Sequence, residues 1–286
     1  MSLEFWVVQT FNGLSYGALL FLLASGLSLI FGVMRVVNLA HGSYFLLGGY
    51  VGLSVIWKTK SFPLALLSAA VAIALVGIAM ERLFLRRLPG QTLGQVLMTV
   101  GFALIFQDLA LLIWGGDPYS LPLPGWLQGV VTAGTLRFPK YRIFIMVLAA
   151  VIGALLWLAL DRTRIGAMIR AAVDDAEMAQ GVGIRVPTVS LGVFALGALL
   201  AALGGGIGAG FLGVYPGLDF EILPYAFVVV IVGGLGSLPG AMVGSLLVGL
   251  LDNFGKALFP ELAYFTLFAP MALILALRPT GLFGRT

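Results

Sequence analysis

The chain has 286 residues, 60% of them hydrophobic and 10% charged, and a formal net charge of +4. Its mean hydropathy is +1.09, and since an ordinary soluble domain carries about a quarter charged residues, this is the composition of an integral membrane protein. Without cysteine and with one histidine, a disulfide framework, a Cys-based metal site and a His cluster are excluded, and the basic residues, scattered along short loops, fit topology determinants better than a nucleic-acid-binding patch.

The N-terminal stretch "MSLEFWVVQTFNG" lacks a positive n-region, carries Glu4 and leads into an apolar run too long for a signal peptide, so it reads as a retained first span. A span takes roughly 20 mainly apolar residues. The runs that qualify are 11–34, 39–57, 62–80, 94–114, 143–160 and 189–214. Beyond them, 222–234 and 240–251 are shorter and joined by "GLGSLPG", as one broken helix or two short ones, and 262–277 closes the series. The fold class expected is an all-α polytopic transmembrane bundle of about 8–9 spans with broken or re-entrant Gly-rich segments, forming a single transmembrane domain over 1–286.

Four features stand out along this series. In "VVNLAHGSYFLLGGY", Asn38, His41, Ser43 and Tyr44 gather where the second span begins. They either cap the helix and pair with nearby carbonyls or line the inner mouth of a path for a small polar solute. Asp108, beside Gln107, lies within the fourth predicted span, nearer its outer end, where a hydrogen-bonded structural role is favoured over ion coupling. The loop 115–141, with "GGDPYSLPLPGW", is rich in turn formers and is expected to form an external cap.

The fourth feature is polar. Residues 161–187, "DRTRIGAMIRAAVDDAEMAQGVGIRVP", read as an independent helix of about fifteen residues that ends at Gly181 or Gly183 with Pro187 beyond, the usual order for a glycine stop. Arg170 and Asp174 are spaced to pair, and Ala172, Ala176 and Ala179 form a face of small side chains beside the acids Asp174, Asp175 and Glu177. A membrane-surface helix wants basic residues and bulky apolar ones, so docking into a cleft of a cytosolic protein is the stronger reading. With that segment inside, ten of the 16 basic residues (Arg35, Arg82, Arg86, Arg87, Arg162, Arg164, Arg170, Arg185, Arg278 and Arg285) fall on the cytoplasmic side. The N-terminus is then outside and, for an odd number of spans, the C-terminus inside.

Glycines number 39. Small-xxx-small pairs such as Gly13 with Gly17, Gly48 with Gly52, Gly204 with Gly208 and Gly240 with Gly244 suit close helix approach in lipid. "GGGIGAG" weakens a helix interior enough to suggest a hinge. "GGLGSLPGAMVG", holding Gly236 and Pro239, is either part of the translocation path or a short cytoplasmic connector. A weak internal echo pairs "NGLSYGALLFLLASGLSLIFG" with "SLGVFALGALLAALGGGIGAG".

The chain resembles the membrane permeases of ABC importers for branched-chain and other hydrophobic amino acids. "AAVDDAEMAQGVGI" is similar to their coupling loop, "LSLIFGVMRVVNLAHGSYFLLGGY" to their N-terminal signature and "VVVIVGGLGSLPGAMVGSLLVGLL" to their C-terminal one. The resemblance implies a multi-pass protein of the bacterial inner membrane, embedded in membrane lipid and paired with a homologous second permease. It implies two cytosolic ABC ATPases beneath, an external or periplasmic solute-binding protein above, and 166–183 as a coupling helix through which Arg170, Asp174, Asp175, Glu177 and Gly183 engage the ATPase. No G-x-x-x-x-G-K-[ST] loop occurs in the chain, so ATP belongs to the partner ATPases; the expectation is no cofactor and no catalysis in this subunit, with alternating access as the mechanism. The same architecture would serve an importer of urea, short amides or small organic acids. A passive channel would lack the acidic docking helix, and a secondary transporter would need more intramembrane charge than Asp108.

Overall fold

The computed structural model describes residues 2–284, so Arg285 lies outside the described residues. The elements in chain order are α1 (Leu3–Met34), α2 (His41–Thr59), α3 (Phe62–Leu83), α4 (Thr92–Trp114), β1 (Val130–Ala133), β2 (Leu136–Pro139), α5 (Lys140–Arg162), α6 (Arg164–Asp174), α7 (Ala176–Gly181), α8 (Val186–Gly208), α9 (Leu218–Gly233), α10 (Leu238–Leu258) and α11 (Ala263–Leu277). Among the described residues α1, α3, α4, α5, α8 and α10 are long and apolar enough to cross a membrane. The more polar α2 and the shorter α9 and α11 pack with these six among the described residues.

The boundaries follow local chemistry. Helix α1 starts at Leu3, upstream of the expected residue 11, because the Ser2 side chain caps it by accepting from Phe5 N and nothing after it breaks a helix. Helix α8 runs through "GGG" and stops at Gly208 rather than near residue 214; the connector beyond it uses left-handed Gly213 and Gly217. The stretch left open as one broken helix or two resolves as two. Gly234 (φ 105°) and Gly236 (φ 79°) make the turn, and the Ser237 hydroxyl caps α10 by accepting from Gly240 N at 3.1 Å. The loop 115–141, expected to form an external cap, carries an antiparallel hairpin, Val130 opposite Pro139 to Ala133 opposite Leu136.

Helix α1 is the axis of the bundle, packed against α5, α8, α9 and α10. Lipid supplies no hydrophobic force to join helices, so close backbone approach has to supply the contact. A Cβ on Gly17 would lie 2.6 Å from Ser245 O of α10, and one on Gly26 would lie 2.5 Å from Gly197 O of α8. These separations fit nothing larger than hydrogen, so the glycines serve packing first.

The two ends of the bundle are distinct. At one, Thr135 of the hairpin turn donates to Glu4 and Phe11 packs against Phe138 at a tilt, with ring centroids 4.5 Å apart. At the other, α1 reaches α6, a Cβ on Gly32 would sit 3.1 Å from Gly236 Cα, and the C-terminal tail joins α9 through Leu282 N to Val232 O (2.9 Å) and Phe283 N to Gly233 O (3.0 Å). The tail therefore shares its end of the bundle with 161–187, and the start of α1 lies at the opposite end.

Candidate functional site

The polar segment 161–187 departs from the single helix expected of it. Asp175 is extended (φ −154°) and divides it into α6 and α7, its Oδ1 accepting from Glu177 N at 3.0 Å and Met178 N at 2.9 Å. An aspartate whose carboxylate satisfies the free amides of a following turn is a helix start, and that local competition ends α6. Upstream, Thr163 caps α6 by accepting from Gly166 N at 3.1 Å. Gly183, at φ 93°, forms the expected stop, Ile184 N returning to Ala179 O at 2.9 Å before Pro187 opens α8.

The side chains sort into two faces. Ala172 and Ala179 are buried against the bundle while Ala176 is exposed, so the small-residue face is largely turned inward and is not the docking surface. Arg170 reaches back to Leu160 O and to Asp161 at 3.8 Å, tying α6 to the end of α5. What faces outward is Asp174, Asp175 and Glu177, together with Met178 (69% exposed) and Val182 (77% exposed). Two bare apolar side chains amid acids form a surface a protein partner would cover; the sequence signal was two apolar residues in a polar segment, overlooked because attention fell on the alanines.

This face is wired to the bundle. Arg86, just after α3, holds buried Glu81 with two bonds, Nε to Oε1 at 3.2 Å and Nη2 to Oε2 at 3.0 Å, and Nη2 also donates to Pro187 O at 3.0 Å. One guanidinium thus joins the end of α3 to the junction between α7 and α8.

The polar group at the start of α2 is enclosed: Asn38, His41, Ser43 and Tyr44 are each fully buried. The Asn38 side-chain oxygen accepts from Ala40 N at 3.1 Å, His41 Nε2 meets Leu23 O at 2.9 Å, and the Tyr44 hydroxyl donates to Met80 Sδ at 2.9 Å. Ser43 donates to Oδ2 of Asp219 at 2.7 Å, while Asp219 Oδ1 and the Tyr50 hydroxyl are buried without a hydrogen-bond partner. Asp219 went unnoticed in the sequence because the run of apolar residues starts only after it. Buried polar groups are costly to leave unpaired, and the Ser43–Asp219 bond ties α2 to α9 at this seam. Gly236 and Pro239 stand apart from it, Gly236 in the α9–α10 turn beside Gly32 and Pro239 in the first turn of α10. Asp108 is exposed on α4. Among the described residues no three His, Asp or Glu side chains are grouped to hold a metal ion.

Comparison with known proteins places these features in context. The family model described as "branched-chain amino acid transport system / permease component" matches residues 9–277. The chain is similar to the high-affinity branched-chain amino acid transport system permease protein BraD of Pseudomonas aeruginosa, 29% identical over 98% of this chain and 96% of that protein. It is similar to LivH of Escherichia coli, a permease protein of the same description, at 27% identity over 98% and 96% of the two chains. The ribose import permease protein RbsC of Escherichia coli matches at 26% identity over 95% of this chain and 84% of that one. No solved structure matches.

Proposed function

Since the chain belongs to the family of branched-chain amino acid transport permease components, a family of transport subunits rather than enzymes, we propose that it carries branched-chain or other hydrophobic amino acids across the bacterial inner membrane. In this reading it works beside a homologous second permease, above two cytosolic ATPases that bind and hydrolyse ATP, and below an external solute-binding protein that delivers the cargo. The observation that carries the proposal is the exposed face of Asp174, Glu177, Met178 and Val182 at the basic, cytoplasmic end. An acidic rim around two bare apolar side chains suits a cleft in a soluble partner and suits lipid poorly.

The mechanism follows from how that face is held. ATP-driven closure of the ATPases displaces α6 and α7, and Arg86 passes the displacement to α3 through Glu81 and Pro187 O. Helix α8, continuous with that junction, carries it to α2 and α1, where its glycines contact their backbones. A ligand or partner shifts a two-state element by binding its states unequally. The seam around Ser43 and Asp219 is the element assigned that role, closed here and opened when α2 and α9 separate.

ATP-driven leucine uptake into proteoliposomes holding both permeases and both ATPases, with the binding protein outside, tests the proposal. Uptake that needs ATP and the binding protein is expected; flux independent of ATP would favour a passive channel and overturn it.

A further inference from the structure

A groove of about 560 Å³ runs along α4, lined by Phe84 and Leu88 beyond the end of α3 and by one face of α4 from Gly94 through Leu97 and Gly101 to Ile105. The packed face of α4 lies elsewhere on the helix: Thr99 Oγ1 accepts from Leu39 N at 3.2 Å, and the Phe106 ring lies 6.2 Å from that of Tyr44. The groove face is bare, with Leu97 62% and Ile105 51% exposed. A Cβ on Gly101 would meet nothing within 4 Å. No neighbour in this chain therefore requires glycine there, although glycine weakens a helix interior relative to alanine. At the end of the groove where α4 begins, the short turn Leu85–Arg87 places Arg87 between the groove residues Phe84 and Leu88, and Arg82 lies in the last turn of α3. Both arginines are exposed, and among the described residues neither forms an ion pair. Arg86 between them is committed to Glu81 and Pro187 O.

We infer that this groove holds an acyl chain of an anionic phospholipid, with the lipid phosphate at Arg82 and Arg87. From Gly94 to Ile105 the helix rises about 16 Å, and one leaflet of hydrocarbon is about 15 Å deep, half of the bilayer core. The groove starts in the first turn of α4, next to the two arginines. One molecule, apolar along its chains and anionic at its head, meets both parts. Basic groups beside an apolar cleft at the end of a span are the pattern that selects acidic headgroups, and a guanidinium takes phosphate oxygens two at a time. The other candidate occupant is a second permease. A helix from it would need acidic groups of its own to reach Arg82 and Arg87, whereas a phospholipid brings chain and charge together and surrounds the protein in any membrane. The inference goes beyond the proposed function and does not depend on the cargo. The turn that receives the headgroup also carries Arg86, so bound lipid braces the link from α3 to the α7–α8 junction.

Native mass spectrometry of the full chain in mild detergent, titrated with palmitoyl-oleoyl phosphatidylglycerol or with the phosphatidylcholine of the same chains, tests the site. Each arginine near an anionic lipid is worth roughly fivefold in affinity, so phosphatidylglycerol should bind about tenfold or more tightly than phosphatidylcholine. Arg82→Gln with Arg87→Gln should remove that preference, and Arg82→Lys with Arg87→Lys should keep most of it. Gly101→Leu, which extends into open space, should weaken both lipids. Equal affinity for the two lipids in the unsubstituted chain, as expected of a bulk lipid shell, overturns the inference. So does a preference that survives the double glutamine variant. Unchanged binding in Gly101→Leu overturns the placement in the groove even where the double variant fails to fold. The chain has no cysteine, so Leu97→Cys supplies a single thiol for a benzophenone maleimide. Irradiation in membranes that hold both permeases should give a lipid adduct; an adduct with the second permease would show a protein in the groove and overturn the inference.

Discussion

The α2–α8 crossing makes a sharp test of close packing, because one substitution at two glycines of one helix should act in opposite directions. A Cβ at Gly205 would lie 1.8 Å from Phe45 O and 2.6 Å from Phe45 C, whereas one at Gly192 meets nothing within 4 Å. Carbon–oxygen contacts begin at roughly 3.3 Å, so Gly205→Ala requires the two backbones to part by about 1.5 Å at that point. Forcing extra volume into a packed site costs roughly 1–3 kcal/mol and sometimes more. The obstacle here is backbone, which has no rotamer to change, and a cost of about 3 kcal/mol is expected. Gly192→Ala, on an open face of α8, gains up to about 1 kcal/mol from helix propensity. Read as apparent Tm in detergent, from the fraction that stays monodisperse after heating, Gly205→Ala should fall by about 5 °C or more and Gly192→Ala should hold or rise by a few. Equal shifts in the two variants would refute the packing argument.

Glu177→Lys should leave membrane insertion intact and abolish the stimulation of ATP hydrolysis by loaded binding protein; normal stimulation would sink the assignment of this face as the ATPase contact, and Met178→Asp should act alike by placing charge on the apolar part of the same face. Arg86→Ala strips buried Glu81 of both its side-chain hydrogen bonds and releases Pro187 O. A loss of about 2 kcal/mol is expected for charge-assisted bonds that are partly exposed, measured as thermal stability, together with uptake that drops further than stability does because α3 no longer follows α8. Uptake that falls only in step with stability would deny Arg86 a part in transmission.

Much of this architecture was legible along the chain. Apolar runs of membrane length, the acids in 174–177 and the Gly183–Pro187 stop depend on properties of neighbouring residues, and they appear in the structure nearly where the sequence put them. The pairing of small residues also foretold close approach, though not which helix approaches which. Misreadings arose where two local preferences competed. Asp175 prefers to cap a new helix over continuing the old one, so one coupling helix became two. The glycines of "GGG", read as a possible hinge, are helical here to Gly208, with Gly205 and Gly208 packed against Phe45.

Composition, spans and the family signatures were thus properties of the sequence itself, because each is written in residues near one another. The tertiary structure decided which polar groups meet. Ser43 finds Asp219 across 176 residues, Arg86 finds Pro187 across 101, and Lys256 of α10 finds Tyr16 of α1. No local pattern records such meetings, since they depend on how whole helices cross, and the crossings are set by glycine contacts spread over α1, α2, α8 and α10.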